Sequence, residues 1–136
     1  MLKYKNEWPL LLLACKANRL SVEESILLFA LREVEAGRPR NEFNKPNVQN
    51  TSLAVQADSM AAQICKGEFI YQGYLKGQFP GLPLAPKEVP TDFITFLGQH
   101  LMNMEGSRKD SKWIASVKAT VAEITKEFVH KDETQK

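Results

Sequence analysis

The stretch that most constrains the fold is Ser21–Phe43, which reads SVEESILLFALREVEAGRPRNEF. Its apolar residues recur at the three- and four-residue spacing of an amphipathic helix. Ser21 and Glu24 match a capping box, in which side chain and backbone groups at the helix start satisfy each other. Gly37 suits the helix end because glycine tolerates left-handed dihedral angles. The stretch therefore predicts a packed helix followed by a polar turn.

Helical periodicity continues along the rest of the chain. No segment sustains the period-two alternation of a half-buried strand, so we predict an all-α fold. The pattern predicts one compact domain of about five helices over residues 1–130, with a polar tail at 131–136. Besides the helix after Ser21, the predicted helices are Asn6–Ala17, Ser52–Lys66, Asp92–Met104 and Ser111–Val129.

Glycine, proline and polar residues separate the predicted helices. Arg38–Thr51 is polar and predicts an ordered surface loop. Gly67 is expected to end the helix that starts at Ser52, and the aromatic segment Phe69–Leu75 fits either a further helical turn or a short extended piece. Gln78–Pro90 is rich in proline and predicts a stiff connector. Thr91 is then expected to cap the next helix.

Composition and charge exclude several classes of protein. Hydrophobic residues make up 43% and charged residues 25% of 136 residues, as in ordinary globular domains. The net charge is +2 and no basic block is present, so we expect no nucleic-acid partner. No apolar run reaches the length of a transmembrane helix. The sequence also lacks the heptad pattern of apolar residues that would predict a coiled-coil oligomer. We therefore expect a monomer without a membrane span.

The cysteines and histidines give no sign of a metal or cofactor. Cys15 and Cys65 are expected to be small buried hydrophobic residues. The alternative is a single disulfide bridge between them, if the protein meets an oxidising compartment. No Cys/His/Asp cluster has metal-ligand spacing, so we expect neither metal nor cofactor.

Leu12–Cys15 looks like a bacterial lipobox, which makes lipoprotein export through Cys15 a minor alternative to a first helix packed in the core.

Glu35 is the residue at which local pattern and plausible chemistry coincide. It lies in the last turn of the predicted helix, where the helix macrodipole disfavours negative charge. Phe29, Leu31 and Val34 could desolvate it. Both effects favour a protonated carboxyl group near neutral pH, as a general acid requires. The alternative is an ordinary exposed glutamate near a helix end.

Three segments carry a resemblance to a known family: Ala30–Phe43, Asp92–Leu97 and Lys112–Val117. In this order they resemble the glutamate-bearing helix end, the Asp-Phe-Ile helix and the closing tryptophan helix of phage-type lysozyme-like proteins, which are small relatives of lytic transglycosylases. The resemblance implies a lysozyme-like fold. It also implies a phage or prophage enzyme that cleaves the β-1,4 bond between N-acetylmuramic acid and N-acetylglucosamine in peptidoglycan.

The resemblance also suggests roles for particular residues. Glu35 matches the catalytic acid, and Glu42 is the best candidate for a second carboxylate. Tyr71 and Tyr74 could bind substrate because aromatic faces stack on sugar rings, with structural packing as the alternative for both. Trp113 begins the apolar stripe of the last helix and is expected in the core.

A non-enzymatic function stays open beside the enzyme. The chain could be an all-α virion, assembly or binding protein with a lysozyme-like fold. An ion pair from Arg38 or Arg40 to Glu35 would favour this alternative, because it would keep the carboxylate ionised. As an enzyme, the protein would be cytoplasmic or virion-associated and would act at the bacterial cell wall.

Overall fold

The computed structural model describes residues 2–43, 45, 48–77, 89–101 and 111–134. Regular structure within these ranges is entirely helical, which confirms the predicted all-α single domain of about five helices. A 3₁₀ turn, Lys5–Glu7, leads into the first helix, and a π-helical segment, Leu97–Leu101, continues the fourth. The helices are α1 (Trp8–Ala17), α2 (Val22–Glu35), α3 (Leu53–Leu75), α4 (Phe93–Phe96) and α5 (Ser111–Thr134).

Helix α2 is the centre of the domain. It begins at the predicted capping box: the backbone N–H of Glu24 donates to Ser21 Oγ at 3.1 Å, and Ser21 N–H donates to Glu24 Oε1 at 2.8 Å. Its residues from Ser25 to Arg32 are all buried. A helix buried on every side must have neighbours all round. Accordingly, α2 packs most extensively against α5 and also contacts α1 and α3.

Aromatic stacking joins the two ends of the chain to α2. The ring of Trp8 in α1 stacks on Phe29 of α2 at 5.2 Å and on Phe128 of α5 at 5.5 Å between centroids. Phe29 and Phe128 stack on each other at 6.0 Å. Such pairs contribute beyond the apolar area that they bury. The three rings therefore fix the relative positions of α1, α2 and α5.

Helix α3 is longer than predicted. Gly67 was expected to end it, but the helix continues through Phe69–Leu75, and Gly67 lies buried within it. A glycine inside a helix costs about 1 kcal/mol relative to alanine. Packing beyond the glycine offsets this cost, because the Tyr71 hydroxyl donates to the carbonyl of Pro90 at 2.8 Å and its ring contacts Phe96.

The residues around α4 correct a second prediction. Asp92, not Thr91, caps the helix: its Oδ1 accepts the backbone N–H of Thr95 at 2.8 Å. Asp92 Oδ2 also accepts from Lys118 Nζ of α5 at 3.1 Å. Burial acts to raise the pKa of Asp92, but the bonds from Thr95 and Lys118 outweigh it and hold that pKa below its usual value.

The last helix extends beyond its predicted end at Val129. Helix α5 continues to Thr134 and so covers most of the predicted polar tail at 131–136. Much of the predicted connector Gln78–Pro90 and all of the break at Gly106–Asp110 lie outside the described residues. None of the helices in the described ranges is long and apolar enough to cross a membrane.

The two cysteines occupy different environments. Cys15 is 1% exposed in the core, as predicted, and burial raises the pKa of its thiol. Cys65 is exposed on α3, so the prediction of a second buried cysteine is wrong. Both thiols are free. A thiol of raised pKa is a poor nucleophile, which leaves Cys15 a packing role.

One guanidinium lies inside the core. Arg32 is 3% exposed, and its Nε and Nη2 donate to Glu7 Oε1 and Oε2 at 2.6 and 3.1 Å. The ring of Tyr4 lies 3.6 Å from the guanidinium carbon and covers it. Arg32 Nη1 donates to the backbone carbonyls of Glu42, at 3.2 Å, and Gly37, at 3.4 Å. Arg32 therefore joins the start of α1 to the chain that follows α2.

Replacing Arg32 with methionine is expected to lower the free energy of unfolding by about 3 kcal/mol. The apolar stem is kept, but Glu7 loses its partner and two carbonyls lose a donor. Urea unfolding followed by circular dichroism measures the loss. The control is Glu127→Gln, whose partner Lys5 is half exposed; it should cost under about 0.5 kcal/mol. Equal losses for the two variants would contradict a central role for Arg32.

Candidate active site

Glu35 is the last residue of α2 and is half-buried. Trp113 of α5 donates its indole N–H to Glu35 Oε1 at 2.8 Å. The indole N–H is a neutral donor, so it can bond a carboxylate or the carbonyl oxygen of a protonated carboxyl group. The contact therefore fixes the position of the Glu35 side chain in either protonation state.

The Trp113 ring is itself held in place by the π-helical segment. A Cβ placed on Gly98 would lie 2.8 Å from Cζ3 of the Trp113 ring and 3.3 Å from Ile114 Cγ1. Glycine is thus needed for the close approach of the segment to α5. Trp113 is half-buried against the core, as its place in the apolar stripe predicted. Packing therefore sets the position of the Trp113 indole N–H relative to Glu35.

A tight loop, Gly37–Glu42, follows Glu35. The N–H of Gly37 donates to the carbonyl of Glu42 at 3.0 Å, which closes the loop. The left-handed residue that ends α2 is Ala36, with φ of 43°, and not Gly37 as predicted. Gly37 is needed for another reason: a Cβ there would overlap the carbonyl oxygen of Asn41. The loop therefore depends on glycine for space.

Glu42 lies inside the protein at the end of this loop. Its side chain accepts from Gln56 Nε2 of α3 at 2.6 Å, and Glu42 is 9% exposed. Gln56 is fully buried, and its Oε1 accepts the N–H of Phe43 at 3.2 Å. The prediction that Arg38–Thr51 is a surface loop is therefore wrong at Glu42 and Phe43, which are buried. Gln56 makes this burial possible because it hydrogen-bonds the Glu42 side chain and the Phe43 N–H.

Tyr71 and Tyr74 pack against α4. Tyr71 is 4% exposed, and its ring lies 5.8 Å from Phe93 and 5.0 Å from Phe96 between centroids. Tyr74 is half-buried and meets Phe96 edge-on at 5.7 Å. Both tyrosine rings therefore pack against neighbouring aromatic rings, which agrees with the structural-packing alternative. A sugar-binding role stays a prediction, and it would need the face of Tyr71 to be uncovered.

The arginines of the loop and the glutamate beside Glu35 have contacts of their own. Arg40 Nη2 donates to the carbonyl of Asn50 at 2.6 Å, and Arg38 is exposed. Glu33 accepts the backbone N–H groups of Lys3 and Tyr4, each at 2.8 Å. Glu33 therefore holds the segment before α1.

Arg32 and Gln56 also belong to this region, although no sequence motif marks them. Each is a polar residue on the apolar side of a predicted helix, which is the signal that could have found them. Arg32 follows three and four residues after Phe29 and Leu28, and Gln56 precedes Met60 by four. Buried polar residues need partners, so such positions mark internal networks.

Among the described residues, no group of three or more His, Cys, Asp or Glu could hold a metal ion.

A cavity of about 250 Å³ lies at the other end of α2. We call it the α2 cavity. Four acidic residues and four apolar residues line it. Glu24, one of the lining residues, precedes Glu35 by about 16 Å along the helix axis. The α2 cavity is therefore distinct from the Glu35 region, which consists of Glu35, Trp113 and the Gly37–Glu42 loop. Its acidic residues are Glu23, Glu24, Glu68 and Asp92.

Gly37→Ala is expected to destabilise the protein by about 2–3 kcal/mol, because the new methyl group has no room beside Asn41. Gly77→Ala is the matched control. Gly77 has φ of 66° and nothing near its absent Cβ, so only backbone strain of about 1 kcal/mol is expected. Thermal unfolding of the two variants compares the costs. A smaller loss at Gly37 than at Gly77 would contradict the close approach.

The indole contact with Glu35 is expected to appear as a coupling free energy. Trp113→Phe removes the donor and keeps an aromatic ring, and Glu35→Ala removes the acceptor. A double-mutant cycle from urea unfolding should give a coupling of at least about 1 kcal/mol. Losses that add within about 0.3 kcal/mol would show that the contact contributes nothing to stability.

No protein-family model, curated protein or solved structure gives a significant match. The resemblance to phage-type lysozyme-like proteins therefore remains a prediction from the ordered motifs, and Glu35 and Glu42 stand as candidate site residues on that basis and on their geometry.

Proposed function

We propose that this protein cleaves peptidoglycan at the β-1,4 bond between N-acetylmuramic acid and N-acetylglucosamine, with Glu35 as the acid. The observation that carries the proposal is the setting of Glu35: a half-buried carboxyl group at the carboxyl end of α2, held by the Trp113 indole. The ordered motifs supply the substrate class. On this proposal the protein acts at the bacterial cell wall as a monomer of phage or prophage origin.

Glycosidic cleavage requires a proton for the leaving oxygen and a means of completing the bond change at the sugar carbon. A general acid must be held within hydrogen-bond reach of the oxygen that it protonates. Because Trp113 bonds one carboxyl oxygen in either protonation state, the side chain keeps its orientation while the proton leaves. The contact thus suits a group that donates a proton and later takes one back.

One glutamate is sufficient for the proposed sequence of steps. Glu35 gives its proton to the leaving oxygen as the bond from that oxygen to the anomeric carbon breaks. The muramic acid 6-hydroxyl then attacks the anomeric carbon, and Glu35 takes the hydroxyl proton, which yields a 1,6-anhydro end. Water attacking in place of the hydroxyl yields hydrolysis instead. In both cases Glu35 is protonated again at the end.

Glu42 has a supporting part in this proposal. Its side chain is buried and accepts from Gln56, and its carbonyl accepts from Arg32. These contacts hold the far end of the Gly37–Glu42 loop, which begins two residues after Glu35. A rigid loop beside the acid limits the positions that Glu35 can adopt. A second catalytic carboxylate at Glu42 would first have to leave its contact with Gln56.

The second candidate function is that of a non-enzymatic all-α binding, assembly or virion protein. The observation that favours it is the position of the α2 cavity, about 16 Å along the helix from Glu35. On this alternative the Trp113–Glu35 contact serves only to join α2 to α5. Both functions keep the same helices and differ in whether Glu35 meets a glycan.

The test is loss of turbidity from purified peptidoglycan, with wild type compared against Glu35→Gln. Glutamine keeps an oxygen that can accept from the Trp113 indole, so the fold is retained while the acid is lost. The expected rate falls by at least about 100-fold, the contribution of a positioned general acid. Mass spectrometry of the released fragments separates 1,6-anhydro ends from the reducing ends of hydrolysis.

Two further variants make the assay decisive. Glu127→Gln makes the same chemical change at an exposed residue and should clear peptidoglycan like the wild type. Glu42→Gln tests the second candidate residue. Clearing by Glu35→Gln at the wild-type rate would reject Glu35 as the acid. No clearing by folded wild type on several wall types would reject the enzyme and favour the binding function.

A further inference from the structure

The α2 cavity has apolar walls drawn from three parts of the fold. Leu27 belongs to α2, Phe93 and Ile94 to α4, and Val121 to α5. Leu27 is 4% exposed, and the others pack against the core. Because all four residues belong to helices and pack in or against the core, the walls are part of the folded framework. A preformed apolar cavity with a few polar groups is the usual form of a small-molecule site.

The rim of the cavity is negatively charged. Glu24 accepts a backbone N–H at Ser21, and Glu68 accepts from the neutral amide of Gln72 at 3.0 Å. Neutral donors satisfy these oxygens but leave their charges uncancelled. Glu23 is exposed in the first turn of α2. No cationic side chain is among the described residues that line the cavity.

Lys118 and the amino end of α2 supply positive charge close to the rim, and neither balances the four carboxylates. Lys118 pairs with Asp92 and offsets one of the four carboxylates. The amino end of α2 contributes about half an elementary positive charge. The remaining negative charge is felt nearby: burial raises the pKa of Tyr71, and the charges of Asp92 and Glu68 raise it further. The rim is thus a local negative region on a chain whose net charge is +2.

We infer that the α2 cavity binds a small organic ammonium ion, whose carbon body lies against the apolar walls and whose charged nitrogen lies among the rim carboxylates. A metal ion does not fit, because among the described residues no three of the rim carboxylates come together as a metal-binding group and the apolar walls offer no further ligands to replace its water. The volume, about 250 Å³, lies just below the usual range of ligand pockets, so the occupant is a small molecule and not a helix. The ring of Phe93 adds a face to which an ammonium group is attracted.

The inference does not depend on peptidoglycan cleavage, since the cavity and Glu35 lie at opposite ends of α2. The probe is 2-phenylethylammonium, followed by methyl NMR of the intact protein. Shifts are expected at Leu27, Ile94 and Val121. Two matched compounds separate the contributions: 2-phenylethanol keeps the ring without the charge, and phenylacetate reverses the charge. We expect the alcohol to bind more weakly than the ammonium ion and the anion not to bind.

A double variant, Glu23→Gln with Glu68→Gln, tests the charged rim. Glutamine at 68 can still accept from Gln72, so the helices are retained while two charges are lost. The dissociation constant of 2-phenylethylammonium is expected to rise roughly threefold to tenfold, and added salt should weaken wild-type binding. Glu127→Gln, outside the cavity, should leave the constant unchanged. Circular dichroism of each variant checks that the fold is kept.

Several results would overturn the inference. These are equal binding of alcohol and ammonium ion, shifts confined to other methyl groups, no shifts at all, or an unchanged constant in the double variant. A capped lysine, N-acetyl-lysine methylamide, is titrated in parallel. If it binds more tightly than 2-phenylethylammonium, the ammonium group recognised by the cavity belongs to a protein side chain, and the free amine is rejected as the natural occupant.

Discussion

The ion pair between Arg32 and Glu7 is the interaction on which the Glu35 region depends. A buried guanidinium must have all its donors satisfied, because an unpaired charge in the core is far more costly than an unmade contact. Glu7 binds one edge of Arg32, and the carbonyls of Gly37 and Glu42 bind the other. The same side chain thus orders the start of α1 and the loop beside the candidate acid. Any change that separates α1 from α2 must also disturb that loop.

The two candidate sites share α2 but depend on different neighbours. At its carboxyl end, Glu35 is held by Trp113 of α5, which rests on the π-helical segment at Gly98. At its amino end, Leu27 forms one wall of a cavity completed by α4 and α5. Because α2 is buried along most of its length, it acts as a rigid support between the two regions. Both regions also use α5, so the packing of α2 against α5 is a shared requirement.

The helices could be predicted from the sequence because their periodicity and caps are local. Ser21 and Glu24 form the predicted box, and the apolar stripe of α2 is buried as expected. Predictions failed where distant contacts override local preference. Gly67 lies inside α3 because Tyr71, one turn later, bonds Pro90 and packs on Phe96. Glu42 and Phe43 can be buried because Gln56 of α3 hydrogen-bonds the Glu42 side chain and the Phe43 N–H. Periodicity indicated that Trp113 is in the core, but no local pattern indicates that its indole reaches a residue 78 positions earlier.

That separation along the chain has a consequence for folding. Contacts between distant residues form late, because the loop between them must first be closed at a cost in entropy. The capping box and the early turns of α2 can form from local sequence, whereas the side chain of Glu35 acquires its orientation only when α5 has docked. A partly folded chain would therefore carry α2 without holding the candidate acid, Glu35, in place, and the proposed glycan cleavage would require the fully assembled domain.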